Sequence, residues 1–178
     1  MKTVVFQSFV HGTAPADLGP GPRAGVTPLA DLNRALNDAF ASAHLAGTQA
    51  DLIRATLLLW HDHHDAAHRI VQDMETPDGS YIHAILHRRE PDYFNANYWF
   101  RRVGQHPCFS ELALRAADIL RKSSSESLIK NILPHGKWDS FAFVGACAAA
   151  ASASVPAHET LCEIQQAEFE VLIDHLYR

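Results

Sequence analysis

Lysine, cysteine and methionine are scarce in this chain of 178 residues, with four, three and two copies respectively. Cys108, Cys147 and Cys162 are odd in number and include no C-x-x-C pair. Neither a disulfide framework nor a cysteine-type zinc site is therefore expected. Positive charge is also short: 15 Lys and Arg face 20 Asp and Glu, for a net charge of −5. That balance argues against general nucleic-acid binding or attachment to an anionic membrane, both of which need clustered cations. Long apolar runs are missing too. Residues 1–10 are interrupted by Gln7 and Ser8 and follow a single lysine, which reads as a short extended segment and not as a signal peptide. Residues 141–155, with four consecutive alanines at 148–151, fall short of the roughly 20 residues a bilayer requires and read as a buried helix. A soluble, cytoplasmic protein is expected. The sequence also lacks G-x-S-x-G, the P-loop, G-x-G-x-x-G and H-E-x-x-H, which removes the best-marked hydrolase, nucleotide and zincin chemistries.

Histidine and alanine are what the chain has in excess. There are 12 histidines against 11 arginines, and His61, His63, His64, His68, His83, His87 and His106 all fall within residues 61–106. The 27 alanines favour closely packed helices, because alanine loses no side-chain entropy on helix formation. Hydrophobic content of 47% is enough for one proper core.

Residues 1–27 read as an extended arm followed by a loop, since Gly19-Pro20-Gly21-Pro22 with Gly25 and Pro28 suits neither helix nor strand. From residue 28 onward the pattern is helical to the end. Leu29, Leu32, Leu36, Ala39, Phe40 and Ala43 keep the 3/4 spacing of one buried face, with Gly47 placed as a stop and Thr48 as the next cap. Further helices are expected at 49–60, 64–74, 79–90, 93–104, 110–122, 126–133, 139–153 and 157–177, with Asp78, Ser110 and Asp139 as caps. The expected fold is all-α: about eight or nine helices stacked as antiparallel hairpins in one domain spanning 28–178. Residues 49–104 carry a weak repeat of about 30 residues whose second copy resembles a helix of a tetratricopeptide-type hairpin.

The unusual chemistry lies in the run from Gly79 to Asp92. His83, His87 and Glu90 occupy one helical wedge at i, i+4 and i+7, a spacing that lets two imidazoles and a carboxylate share a cation. If the helices at 64–74 and 79–90 form a hairpin turning near residues 76–77, His68 falls level with residue 85, between His83 and His87. His68, His83, His87 and Glu90 are therefore the candidate ligands of a divalent transition metal such as zinc, iron, manganese or nickel. Residues 81–106 carry a net charge of +2 from Arg88, Arg89, Arg101 and Arg102 against Glu90 and Asp92. Arg88, Arg89, Asp92, Trp99, Arg101 and Arg102 form a candidate site for a small anion, with arginine forks for a carboxylate or phosphate and an indole for stacking. The same charges also suit an internal salt-bridge network. The turn at His61-Asp62-His63-His64-Asp65 reads as solvated, the three cysteines as small buried residues, and His11, His44, His135, His158 and His175 as belonging to no constellation.

The run His83-x-x-x-His87-Arg88-Arg89-Glu90-Pro91-Asp92-x-x-Asn95-Ala96-x-Tyr98-Trp99-Phe100-Arg101-Arg102-Val103-Gly104-x-His106-Pro107 resembles a family of uncharacterised all-helical bacterial and fungal proteins. Trp138-Asp139-x-Phe141-x-Phe143-Val144 and Glu168-Phe169-x-x-Leu172 resemble it as well. The resemblance covers roughly residues 55–175 and implies a single domain organised around the central motif, without implying a reaction. The function expected from sequence is a small helical protein that binds a metal ion or small anionic ligand in a His/Arg/Glu pocket. The alternative is a non-enzymatic, tetratricopeptide-like module that binds a peptide, with the polar network purely structural. A homo-oligomer is compatible with either.

Overall fold

A computed structural model describes residues 4–150 and 155–178. Ten α-helices run through them: α1 (Val4–His11), α2 (Leu29–Ala43), α3 (Gly47–Trp60), α4 (His64–Val71), α5 (Pro77–Arg89), α6 (Tyr93–Val103), α7 (Cys108–Lys122), α8 (Glu126–Ile132), α9 (Ser140–Ala150) and α10 (Val155–Leu176). No strand occurs among the described residues, and no helix is long and apolar enough to cross a membrane. The all-α reading and the nine expected helices are therefore present, with one helix more. Most of the stretch read as an extended arm coils into α1; Met1 to Thr3 lie outside the described residues. The cause is tertiary. Phe6 and Val10, four residues apart, are completely buried, and the Phe6 ring meets Phe40 at 5.3 Å and Tyr177 at 5.0 Å. Burying a phenylalanine contributes about 1.5–3 kcal/mol, enough to override a weak local preference.

Helix ends also differ from expectation in detail. His44, in the left-handed region at φ 55°, closes α2, so Gly47 begins α3 instead of ending its predecessor. Thr48 consequently lies inside α3, which has no side-chain cap. Thr76, and not Asp78, caps α5 by accepting a hydrogen bond from the Gly79 N–H at 3.1 Å. Ser110 lies inside α7. Asp139 does cap α9, accepting from the Phe141 and Ala142 N–H groups at 3.0 Å each. The alanine run at 148–151 crosses out of the described residues, since Ala151 and the last part of the helix expected to 153 lie outside them, and α9 is half-buried through Phe143, Val144, Cys147 and Ala150.

Two adjoining cores organise the chain. One gathers α1 to α6 with the C-terminal half of α10 around Trp60, Ile82, Leu86 and Phe169. The other joins α7, α8, α9 and the earlier part of α10 around Leu112, Trp138, Phe143 and Ile164. Helix α5 is the spine: every residue from Gly79 to Arg89 is buried. It packs along α6 on one side and against α4 and α3 on others. Close approach of the α4–α5 hairpin depends on Gly79, where a Cβ would meet Met74 Cβ at 2.6 Å and its carbonyl oxygen at 2.7 Å. No side chain fits there.

Candidate metal centre

A helix buried on all sides has to satisfy its polar side chains internally, and α5 does so in two ways. Arg88 and Arg89 leave it toward other elements. Arg88 pairs with Glu168 of α10, its Nη2 lying 2.5 Å from Oε2 and its Nη1 3.2 Å from Oε1, and it also donates to Gln165 Oε1 at 3.2 Å. The guanidinium sits 4.6 Å from the centre of the Phe143 ring, and the Tyr81 hydroxyl donates to Glu168 Oε1 at 3.2 Å. Arg89 donates to Asp62 Oδ1 at 2.6 Å, to the Leu59 carbonyl, and to the Asp17 and Gly19 carbonyls at 3.1 and 3.3 Å. Both arginines, expected to face an anion, are thus occupied by acceptors of the protein itself. Their carboxylate partners are Asp62 and Glu168, not the neighbouring Glu90 and Asp92, because α5 directs 88 and 89 away from the face that carries 83 and 87.

The histidine face is different. Antiparallel pairing of α4 with α5 brings His68 between His83 and His87, with ring centres 4.8 and 5.7 Å away. His68 Nε2 lies 2.9 Å from His83 Nε2, and His83 and His87 stack at 4.8 Å. One ring nitrogen from each of the three lies within 4.8 Å of the other two. The α5–α6 pair builds the opposite wall in steady register about Pro91. Trp99 stacks on His83 at 3.9 Å, and one turn earlier Asn95 Nδ2 reaches His87 Nε2 at 3.0 Å. Asp92 caps α6 through the Asn95 N–H at 3.1 Å, which places that amide.

Protonation follows from these contacts. With Asn95 donating to Nε2, the His87 proton belongs on Nδ1, 3.2 Å from Glu90 Oε2 and off the angle of a hydrogen bond. Glu90 therefore stands beside His87 without a hydrogen bond to it, and it lies outside the converging donor set in which it was expected. Two Nε2 atoms 2.9 Å apart cannot both carry protons, so His68 and His83 share one. Burial lowers the His83 pKa to about 3, helped by the neighbouring His87 and His68. Burial also lowers that of His87, with Asp92 opposing and His68 assisting. Both rings are neutral at physiological pH, the form in which imidazole ligates metals. His83 Nδ1 is buried without a hydrogen-bond partner.

The remaining expected residues lie elsewhere. Arg101 and Arg102 are exposed on α6. Arg102 reaches Glu75 at 3.1 Å and lies 5.4 Å from the Trp99 ring, so it covers the outside of that wall. The turn read as solvated is largely buried: His61 meets the Phe9 carbonyl at 3.1 Å, His63 the Thr27 carbonyl at 2.8 Å, and the Asp62 side chain is sealed beneath Arg89 and Arg23. Two further groups were invisible in the sequence because their members are far apart. Asp78 Oδ1 holds His106 Nε2 at 2.9 Å and His175 Nε2 at 3.0 Å. Asp17, His158 and Cys162 form the other. Asn95 could have been found by reflecting α6 onto α5 about Pro91, the same step that pairs His68 with α5. No protein-family model, curated protein or solved structure matches this chain, so its site is read from its own geometry.

Proposed function

We propose that this protein binds a divalent transition metal ion through His68, His83 and His87, with Trp99 buttressing His83. One observation carries the reading: three imidazoles from two helices turn one nitrogen each into a common space within 4.8 Å of one another. Ligand nitrogens around a tetrahedral zinc ion stand about 3.3 Å apart, given bonds of about 2.0–2.1 Å. The cation would take the place of the proton held between His68 and His83, which would move to the Nδ1 of its ring, and of the Asn95 amide on His87 Nε2, with the first two rings separating slightly and His87 closing in. Three neutral imidazoles leave the full charge on the ion, which would acidify a water in the remaining position toward neutrality and suit hydrolytic or hydration chemistry. All three cysteines are free, as suits the reducing cytoplasm in which we place the protein.

The test is zinc retention by the full-length protein after dialysis, measured by elemental analysis. His83→Ala and His87→Ala should each lose one equivalent while helical circular dichroism is kept. Retention of the full complement by both variants would overturn the proposal.

A further inference from the structure

The start of α10 carries a second set of donors of a different kind. His158 and Cys162 stand four residues apart and so share one face of the helix. Asp17 meets them from the Gly/Pro-rich loop, its Oδ1 3.0 Å from His158 Nε2. One donor atom from each of the three lies within 4.8 Å of the other two. The loop is held in place from beneath: the Asp17 carbonyl accepts from Arg89 Nε at 3.1 Å and from Gln165 Nε2 at 3.0 Å, and both of those residues are wholly buried. The Leu18 backbone N–H bonds to the Cys162 sulfur, which favours the thiolate, although burial and the Asp17 carboxylate prevail and raise the thiol to about 11.

We propose that Asp17, His158 and Cys162 form a zinc site, separate from the three-histidine cluster and independent of it. A thiolate, a carboxylate and a neutral imidazole together balance the charge of Zn²⁺, and the borderline-soft ion accepts all three ligand types. Zinc is also what would deprotonate a thiol that is otherwise neutral. Side-chain exposures of 56% for Asp17 and 35% for His158 leave a solvent-facing fourth position for water. The sequence pointed away from a cysteine site for want of C-x-x-C, but only one thiolate is needed here, and the loop brings the carboxylate across a separation of more than a hundred residues. The Asp78–His106–His175 group does not compete. His106 Nδ1 already accepts from the Cys108 N–H at 3.3 Å. A metal on Nε2 would force the ring proton onto Nδ1 against that donor, a backbone N–H that cannot turn aside as the Asn95 side chain can. That group is a clasp between α5, the loop from α6 to α7, and α10.

Cobalt substitution separates this site from the histidine cluster, because only a thiolate gives an intense near-ultraviolet charge-transfer band with Co²⁺. The full-length protein, titrated anaerobically with Co²⁺, should develop that band to saturation within two equivalents, the histidine cluster taking up to one of them, and lose it on adding Zn²⁺. Cys162→Ser should abolish the band, Asp17→Asn and His158→Gln should weaken cobalt binding by roughly tenfold or more, and His83→Ala should leave the band intact. Zinc should also slow alkylation of Cys162 by iodoacetamide. Absence of the band at saturating Co²⁺, its survival in Cys162→Ser, or alkylation indifferent to zinc would each overturn the proposal. Should Cys162→Ser fail to fold, the two partly exposed positions, 17 and 158, decide the matter.

Discussion

The two polar faces of α5 solve the same problem with opposite results. Arg88 and Arg89 are fully buried charges, and every one of their donor nitrogens except Arg88 Nε meets an acceptor. His83 and His87 are almost as deeply buried, yet they meet chiefly other rings, and His83 Nδ1 meets no acceptor. A buried guanidinium cannot shed its charge, so the fold had to supply carboxylates for it. An imidazole can become neutral, so it tolerates a place where nothing compensates a proton. The arginine face is thus complete without a ligand, whereas the histidine face has nitrogens to spare. That difference, more than the number of histidines, separates scaffold from site.

The comparison is broken most severely at Glu168. Glu168→Ala leaves Arg88 charged and unpaired between the two cores, and should cost about 3–5 kcal/mol in urea denaturation. The double change Arg88→Met with Glu168→Leu should recover most of that loss, because an apolar pair of similar volume avoids the desolvation penalty altogether. Failure of the double variant to recover would mean that Tyr81 and Gln165 depend on the charges for their own placement.

Gly79 tests whether the histidine face depends on the spacing of the α4–α5 hairpin. Gly79→Ala drives a methyl group into Met74 and should cost about 1–3 kcal/mol. It should also weaken zinc binding at the three histidines, since His68 is carried by the displaced helix. Loss of stability with unchanged affinity would show that His68 finds its place without help from the turn.

How much of this was legible beforehand depended on distance along the chain. Local periodicity marked nine helices, and reflection about residues 76–77 placed His68 opposite His83 and His87, because a short hairpin leaves little freedom in register. Helix α1 was missed because its decisive contacts, Phe40 and Tyr177, lie far away in sequence. The partners of Arg88 and Arg89 were missed for the same reason. Glu90 and Asp92 are adjacent in sequence, but Glu168 and Asp62 are the ones that the packing delivers. Asn95 was within reach of the sequence and was overlooked because an amide does not advertise itself as a metal-site residue.

Acid should separate the faces next. His83 and His64 protonate near 6.5 when the chain is unfolded, but only near about 3 and about 4 when folded, burial being the main cause in both. Between those values the unfolded state binds the extra protons. Stability therefore rises with pH and is lost progressively as the pH falls from 6.5, by at most about 1.4 kcal/mol per pH unit for each histidine. Urea unfolding at pH 7 and pH 5 should show this slope, and His64→Gln should flatten it by up to one histidine's share. An unaltered slope in that variant would place the acid sensitivity elsewhere.

The smallest expected effect is at Arg102, and it bears on what the histidine face binds. Its guanidinium is part-exposed, pairs with the mostly exposed Glu75, and covers Trp99 from outside. Exposed ion pairs contribute little, so Arg102→Gln should change stability by no more than about 0.5 kcal/mol. Zinc affinity should be unaffected as well, because Trp99 supports His83 through ring contact and not through charge. Arg101 and Arg102 are the two candidate anion-binding arginines left uncommitted to buried partners. Phosphate should therefore raise the melting temperature of the wild-type protein no more than it raises that of Arg102→Gln. A phosphate-dependent rise confined to the wild type would return an anion to the rim of the site, stacked above Trp99, and the histidine cluster would then have to be read as the floor of a pocket whose ligand carries negative charge.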